Sequence, residues 1–379
     1  IIYAAFASDP STAPVLADSF ANKLYTGNAT SSRAITGLGF KPNLVWIKNR
    51  SAVKDHMLFD SVRGTINPPG LYPNLALAQF SGDANNFVSF DDDGFTIGQD
   101  SYTNGSGNDM VAWSWKANSL PTINTDGTIQ SVLSANQASG FSVVAYTGNS
   151  NTSQTVGHGL SAAPELVIIK NLDQAEQWNV FGGTVWDRIN LDDSLGDRAD
   201  GYACTFNSTN VELPQNGQHA NGQWNASGNN YIMYCWQSIT GFSKIGTYTG
   251  NGSTQSITGV GFQPSWIIFK KTTATQDWLL VDSARGGQKE LVPNNNSAEY
   301  TMSNGVSSFD SDGWTMGANN SLNTNGETYL YMAFKENPAP QPAIGYMSFL
   351  VVAGGASGGN ENSRSGGGGG AGGLRTSFG

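Results

Sequence analysis

Three segments of the sequence place large apolar side chains at every second position. The large residues are Val111, Trp113 and Trp115, then Ile232, Tyr234 and Trp236, and finally Leu330, Met332 and Phe334. Successive side chains of a β-strand point to opposite faces, so each trio is predicted to face a core from one side of a sheet. The same alternation over Ile2, Ala4 and Phe6 predicts that residues 1–10 are the closing strand of a truncated preceding repeat.

Uninterrupted apolar runs lie between a proline and a lysine at three places in the sequence. They are Leu44–Ile47, Leu166–Ile169 and Trp266–Phe269. Runs of this length are typical of strands that are buried on both faces. The Asp-Gly pairs that begin at Asp93 and Asp312 lie between alternating apolar residues and predict the tight turns of hairpins. Together these patterns predict an all-β fold.

A Tyr-Thr-Gly-Asn motif precedes each recurrence of the predicted strands along the sequence. Its copies begin at Tyr25, Tyr146 and Tyr248, and a Gly-x-Gly turn follows each of them. The period of roughly one hundred residues is too long for one turn of a solenoid and suits a small β domain. We therefore expect tandem β-sandwich-like modules in a string rather than one large core, with a glycine-rich segment at the C-terminal end.

The repeats and the composition shifts between them predict the domain boundaries. The segments are a closing strand at 1–10, repeat 1 at 11–118, an inserted hairpin or linker at 119–139, repeat 2 at 140–239, repeat 3 at 240–336, a proline-rich linker at 337–343 and a truncated glycine-rich domain at 344–379. The proline-rich linker is expected to be stiff and separates repeat 3 from the glycine-rich domain. The polypeptide is expected to continue beyond both ends of the sequence.

The composition excludes several classes of partner. Charged residues make up only 13% of the chain, and the formal net charge is −10. Because no lysine or arginine cluster is present, nucleic-acid binding is not expected. No apolar run approaches the length of a membrane-spanning helix, so membrane insertion is not expected either. With 38% hydrophobic residues and 10 tryptophans, the chain has enough apolar material for several small cores.

Two pairs of aspartates resemble calcium ligands. Asp91 and Asp93 form one pair, and Asp310 and Asp312 form the other. Neither pair has the glycine and the distant glutamate that an EF-hand loop requires, and repeat 2 lacks equivalent acids. We therefore favour turn chemistry over a metal site, and the sequence predicts no metal.

An Asp-Ser-x-Arg-Gly motif begins at Asp60 and again at Asp282, and repeat 2 lacks it. An aspartate and an arginine three residues apart can hold each other or present a fork to a carboxylate or a sugar. We favour the structural salt bridge. The cysteines, Cys204 and Cys235, both lie in repeat 2, and we favour two buried free thiols over a disulfide.

The sequence offers little material for catalysis. The three histidines are His56, His158 and His219, and no serine or cysteine lies in a nucleophile elbow. We predict no catalytic residue and no cofactor. Trp186 and Trp224 lie in polar loops of repeat 2 and are candidates for stacking on a sugar ring, although packing inside the protein is favoured over this role for both.

The ordered set of motifs resembles a family of uncharacterised repeat domains in virion proteins of tailed bacteriophages, notably marine and cyanobacterial ones. The set comprises Tyr-Thr-Gly-Asn, Gly-x-Gly-Phe-x-Pro, an apolar strand ending in Ile-Lys-Asn, Asp-Ser-x-Arg-Gly, Ser-Phe-Asp-x-Asp-Gly and an aromatic closing strand with Lys-x-Asn. The similarity covers Ile1 to about Pro338. The segments Met347–Gly355 and Gly366–Thr376 resemble the glycine-rich domain of phage tail fibres.

The resemblance implies a virion structural protein on the particle surface, a fragment of a tail fibre or comparable fibre that mediates attachment to the host. Its implied partners are copies of itself in a homotrimer and other virion proteins, and the family provides no catalytic residue. One alternative is a carbohydrate-binding module array that recognises host surface glycans through Trp186 and Trp224. Another is a capsid decoration or tail accessory protein.

Overall fold

The computed structural model describes residues 19–118, 120–182, 186–214, 222–336, 350–352 and 374–376, of which 186–187, 350–352 and 374–376 are described by their backbone alone. The chain divides into two compact units, Ile1–Ala339 and Pro340–Gly379. The predicted closing strand at 1–10 and the proline-rich linker at 337–343 lie outside the described residues. The fold is all-β, as the sequence predicts, and the described part of the chain contains one short helix.

Module 1, residues 19–118, is a sandwich of two sheets. Its elements are β1 (Phe20–Thr26), β2 (Arg33–Thr36), β3 (Leu44–Asn49), β4 (Met57–Asp60), β5 (Phe87–Asp91), β6 (Gly94–Ile97), α1 (Ser101–Asn104) and β7 (Asp109–Trp115). The large sheet has the order β1-β7-β3-β4, and the small sheet has the order β2-β6-β5. All strand pairs are antiparallel.

Module 2, residues 120–239, repeats this plan with one strand added at one edge of the large sheet and two strands added at the other edge. Its strands are β8 (Thr122–Asn124), β9 (Ser131–Asn136), β10 (Phe141–Thr147), β11 (Thr155–Gly157), β12 (Leu166–Asn171), β13 (Asn179–Gly182), β14 (Trp186–Asn190), β15 (Thr205–Phe206), β16 (Asn210–Glu212) and β17 (Asn230–Trp236). The large sheet has the order β14-β13-β12-β17-β10-β9-β8, and the small sheet has the order β11-β16-β15. The segment predicted as an inserted hairpin forms β8 and β9, which extend the large sheet beside β10.

Module 3, residues 240–336, returns to the plan of module 1. Its strands are β18 (Ser243–Thr249), β19 (Gln255–Ile257), β20 (Trp266–Lys271), β21 (Leu279–Asp282), β22 (Lys289–Glu290), β23 (Tyr300–Thr301), β24 (Val306–Asp310), β25 (Gly313–Met316) and β26 (Thr328–Phe334). Its sheets have the orders β18-β26-β20-β21 and β19-β25-β24, with β22 and β23 as a separate pair. In the unit Pro340–Gly379, β27 (Leu350–Val352) pairs antiparallel with β28 (Leu374–Thr376).

Each module has an apolar core between its two sheets. In module 1, Val45 and Ile47 of β3 face Phe95 and Ile97 of β6, and all four residues are fully buried. Modules 2 and 3 have corresponding cores. The alternate residues of the same strands point the other way, so these cores cover only one face of each large sheet.

The other faces of the three large sheets pack against one another in a single shared core. It includes Leu44, Trp46, Trp113 and Trp115 from module 1, Ile168, Trp178, Tyr234 and Trp236 from module 2, and Trp266, Ile268, Trp278, Met332 and Phe334 from module 3. The expectation of a string of modules without one large core is therefore wrong. The physical reason is that the central strands are apolar on both faces, and a two-sheet sandwich buries only one of those faces.

The three modules contact one another in the order 1 to 2, 2 to 3 and 3 to 1, which closes a ring. The same backbone hydrogen bond recurs at each junction: Gln79 N to Leu172 O at 3.0 Å, Asp197 N to Thr272 O at 2.7 Å and Glu299 N to Arg50 O at 2.8 Å. Beside each of these backbone bonds, a side-chain ring nitrogen donates a second hydrogen bond across the same junction. Trp178 Nε1 donates to Tyr72 O, Trp278 Nε1 to Asn190 O, and His56 Nε2 to Val292 O. This head-to-tail arrangement is that of a cyclic trimer, built from one chain.

At equivalent core positions, the modules carry side chains of different sizes, and a smaller one at one position is compensated by a larger one beside it. His56 occupies the place of Trp178 and Trp278, and the smaller ring leaves space that Trp46 fills where the other modules have isoleucine. Trp46 Nε1 donates to His56 Nδ1 at 2.9 Å, so His56 Nε2 carries the proton that bonds to Val292 O. Burial lowers the pKa of His56 well below its usual value, which keeps the imidazole neutral.

A shared core predicts that the modules unfold together. Replacement of the buried Trp278 by alanine should lower the free energy of unfolding by about 3–5 kcal/mol, because it leaves a cavity at the ring centre. Urea unfolding followed by far-UV circular dichroism should show one cooperative transition, shifted to lower urea. A plateau at which two modules stay folded would contradict the shared core. Val53→Ala, at a position that is 66% exposed, is the control.

Candidate functional site

The Tyr-Thr-Gly-Asn motif attaches the opening strand of each module to a loop before its closing strand. In module 1, the Tyr25 hydroxyl donates to Thr103 O at 2.7 Å, and Gly27 N donates to Asn108 O at 2.8 Å. A Cβ atom on Gly27 would lie 2.0 Å from Gly105 O, so this position requires glycine. Tyr146 and Tyr248 make the same hydroxyl bond, each at 2.7 Å. The motif is therefore structural.

A buried asparagine receives the motif in every module, and the sequence patterns above do not identify it. The backbone N–H groups of Asn28, Asn149 and Asn251 donate to the side-chain oxygens of Asn104, Asn225 and Asn323 at 2.8–3.0 Å. The three acceptors are at most 1% exposed. The signal that could have found them is their spacing, since 76 residues separate the partners in modules 1 and 2 and 72 in module 3.

The paired aspartates serve the turns, as favoured over a calcium site. In module 3, the Asp312 carboxylate accepts from Gly259 N at 2.9 Å and from Gly261 N at 2.6 Å, and these two bonds lower its pKa. Asp93 accepts from the Gly-x-Gly turn of module 1 in the same way. Asp310 accepts from two hydroxyls of its own hairpin. Within the described residues, no group of three or more His, Cys, Asp or Glu side chains is placed to hold a metal ion.

His158 takes over the turn of module 2, where the aspartate is missing. Its Nδ1 accepts from Leu160 N at 3.0 Å, and its Nε2 donates to Asn207 O at 3.1 Å. Burial lowers the pKa of His158, which favours the neutral ring that this pair of bonds requires. The imidazole is therefore a turn-forming group, and its two nitrogens are both engaged.

The Asp-Ser-x-Arg-Gly motifs form buried salt bridges, as the sequence favours, and each also joins two modules. Arg63 Nε lies 2.6 Å from Asp60 Oδ2, and Arg285 Nε lies 2.6 Å from Asp282 Oδ2. The Asp60 oxygen also accepts from the hydroxyl of Tyr234 in module 2 at 2.7 Å.

The absence of the Asp-Ser-x-Arg-Gly motif from module 2 is explained by the residue that its aspartate would face in module 3. Asp282 accepts from Trp113 Nε1 of module 1 at 3.0 Å, so the third junction matches the first. At the junction between modules 2 and 3, the residue equivalent to the aspartate is Gly182, and the residue equivalent to the donor is Met332. Methionine has no proton to donate, so a buried carboxylate at this place would lack a partner.

The structure corrects the assignment of Trp224 as a sugar-stacking residue. Its side chain is 1% exposed and packs against Phe181 and Tyr202, and the Arg188 guanidinium lies 5.8 Å from its ring. A sugar requires an accessible ring face, and Trp224 has none. Trp186 begins β14, and its side chain lies outside the described residues.

The cysteines are two buried free thiols, as favoured over a disulfide. Both lie in the core of module 2. Burial raises the pKa of Cys235 to about 12, and it also raises the pKa of Cys204. Both thiols therefore stay protonated at neutral pH and are poor nucleophiles.

Open grooves lie at two junctions of the ring. The groove between modules 1 and 2 has a volume of about 450 Å³ and is lined by residues that include Gln79, Thr147 and Leu172. The groove between modules 2 and 3 has a volume of about 440 Å³ and is lined by residues that include Arg198 and Thr272. Both volumes lie within the range of small-molecule sites. The first groove is the candidate functional site, because the inserted hairpin gives it an additional wall.

The comparisons with known proteins yield a family match. The model of a family described as a domain of unknown function, DUF7483, matches residues 16–338. No curated protein matches the chain, and no solved structure matches it. Among the described residues, no helix is long and apolar enough to cross a membrane.

Removal of one charge from the buried salt bridge between modules 3 and 1 is expected to lower the stability of the protein strongly. Asp282→Ala takes from the buried Arg285 the nearer of its two carboxylate partners, leaves Trp113 Nε1 without its acceptor, and should lower the free energy of unfolding by about 3–5 kcal/mol. Asp312→Ala, which removes a carboxylate from an exposed turn, is the matched control and should have a much smaller effect. Urea unfolding measures both. Equal effects of the two changes would contradict the role of Asp282 at the junction.

The carboxyl group of Asp192 is expected to make the free energy of unfolding depend on pH. Trp178 N donates to Asp192 Oδ1 at 3.0 Å, a role that Asn74 and Asn294 have in the other modules. Burial raises the pKa of Asp192 from 3.8 to about 6. Because the folded protein binds this proton more tightly than the unfolded chain, the stabilisation is complete below about pH 4 and is lost as the pH rises through about 6.

The substitution Asp192→Asn removes this titration and keeps the acceptor. We expect it to stabilise the protein by about 1–2 kcal/mol at pH 7.5 relative to the unchanged chain, and by much less at pH 4. Urea unfolding at the two pH values measures the difference. A gain of equal size at both values would show that the ionisation of Asp192 is not its cause. Asn294→Asp, the reverse change in module 3, should destabilise as the pH rises.

Proposed function

The chain belongs to the DUF7483 family, and we propose that it is a virion structural protein, part of a phage tail fibre or comparable surface fibre that mediates attachment to the host. The observation that supports this proposal most directly is the closed ring. Three modules share one core, and the ionic side chains of the repeated motifs form turns and junctions. Such a unit suits a particle that must survive outside a cell.

The motif series supports the phage assignment. The ordered set from Tyr-Thr-Gly-Asn to the aromatic closing strand resembles the repeats of tailed-phage virion proteins. It coincides with the strands and turns of modules 1 and 3, and module 2 carries part of it. The low share of charged residues, 13%, gives a neutral polar surface that fits many weak contacts in parallel.

The partners proposed are further copies of the chain, other virion proteins and a host surface glycan. The ring closes within one chain through the contact of Glu299 with Arg50, so no second copy is needed to complete the shared core. A homotrimer of the chain would therefore use surfaces outside the ring junctions.

Localisation on the particle tests this function. An antibody raised against the full chain should label the tail fibres of virions that carry this gene, as seen by immunogold electron microscopy. Label over the capsid would favour the alternative of a decoration protein. Purified virions without label, in which mass spectrometry also finds no peptide of the chain, would refute a structural role in the particle.

A further inference from the structure

The three junctions share a backbone plan and differ in the side chains around it. At the junction that closes the ring, Arg50 Nε and Nη2 donate to the two carboxylate oxygens of Glu299 at 2.7 and 2.9 Å. Arg285 adds a third bond to Glu299 at 3.1 Å. These side chains occupy the space beside the backbone bond between Glu299 and Arg50, and the side chains of that pair are 11% and 17% exposed.

The equivalent space between modules 1 and 2 is open. There the backbone bond joins Gln79 and Leu172, and neither residue reproduces the long ionic pair of Arg50 and Glu299. The groove of about 450 Å³ lies at this position. Its outer wall is formed by β9 of the inserted hairpin, which has no counterpart among the described residues of modules 1 and 3.

The polar groups of the groove are already oriented by bonds within the protein. Arg63 Nη1 donates to the side-chain oxygen of Gln79 at 3.2 Å, while Arg63 Nε is bound to Asp60. On the opposite side, the Thr147 hydroxyl donates to the side-chain oxygen of Asn230 at 3.0 Å. Groups held in this way lose little conformational entropy when a ligand binds.

The chemistry of the lining points to a neutral ligand with both hydroxyl and apolar surface. The lining includes the amides of Gln79 and Gln130, the hydroxyl of Thr147 and the apolar side chains of Val132 and Leu172. The one charged residue among those that line the groove is an arginine whose charge is offset by a carboxylate at 2.6 Å. The net charge of −10 also disfavours an anionic ligand.

We propose that the groove between modules 1 and 2 binds a neutral sugar unit of an oligosaccharide. The C–H face of a pyranose would lie against Val132, which is 39% exposed, and its hydroxyls would bond to Gln79, Gln130 and Thr147. That the sugar belongs to a host surface rests on the proposed function, whereas the binding itself does not.

The ring supplies its own test of this site. The double variant Gln79→Glu/Leu172→Arg installs the ion pair of the closing junction and should fill the groove. In a second variant, Val132→Arg, a long side chain enters from a strand position that is 39% exposed, without disturbing the core. The control is Val53→Arg, at a residue that is 66% exposed and does not line the groove.

The full chain is applied to an immobilised panel of neutral oligomers of glucose, galactose, mannose and N-acetylglucosamine, and of acidic uronate and sialylated oligomers. We expect it to retain at least one neutral oligomer. In isothermal titration with that oligomer, both groove variants should weaken binding by about tenfold or more, and Val53→Arg should leave it unchanged. Thermal unfolding of each variant checks the fold.

Three results would overturn the proposal: retention of no oligosaccharide, retention of acidic ones alone, or binding that persists in both folded groove variants. The outcome is separable from that of the proposed function. Sugar binding by a chain absent from virions would remove the phage role and keep the groove. If the chain is found in virions but binds no sugar, the phage role stands and the proposed sugar site fails.

Discussion

The structure depends on one constraint: the central strands of each large sheet are apolar on both faces. A sandwich of two sheets buries one face and leaves the other in water, which is unfavourable for rows such as Leu44, Trp46 and Leu58. Three such faces packed together remove one another from solvent. The ring, the head-to-tail junctions and the buried salt bridges between modules all follow from this arrangement, because each is a way of closing the shared core.

Much of the fold was readable from the sequence, and the missing part is physically instructive. Period-two alternation, Pro and Lys boundaries and Asp-Gly turns located the strands of the large sheets and the hairpins of modules 1 and 3. The same uninterrupted runs signalled burial on both faces, yet a sequence does not say what covers the second face. A repeat that packs along a string and one that packs around an axis have the same local pattern. Only the contacts of residues such as Trp178 with Tyr72 distinguish them.

The candidate site was less predictable, because it is formed where equivalent positions of the three modules carry different side chains. Trp224 looked accessible in a polar segment, but Tyr202 and Arg188 cover it. The groove between modules 1 and 2 depends on Leu172 standing where Arg50 stands in module 1. That equivalence becomes visible only when the backbone bonds of the junctions are compared.

The closed ring has a consequence for how such a protein can change over time. In a trimer of identical subunits, every substitution appears three times, so a cavity opened at one interface opens at all of them. Here the three interfaces are encoded separately. One carries the ion pair of Arg50 and Glu299, which joins modules 3 and 1, whereas the junction between modules 1 and 2 lacks such a pair and lies beside a hairpin. A symmetric architecture encoded in one chain can thus differ from junction to junction, with an ion pair at one of them and the proposed sugar-binding groove at another.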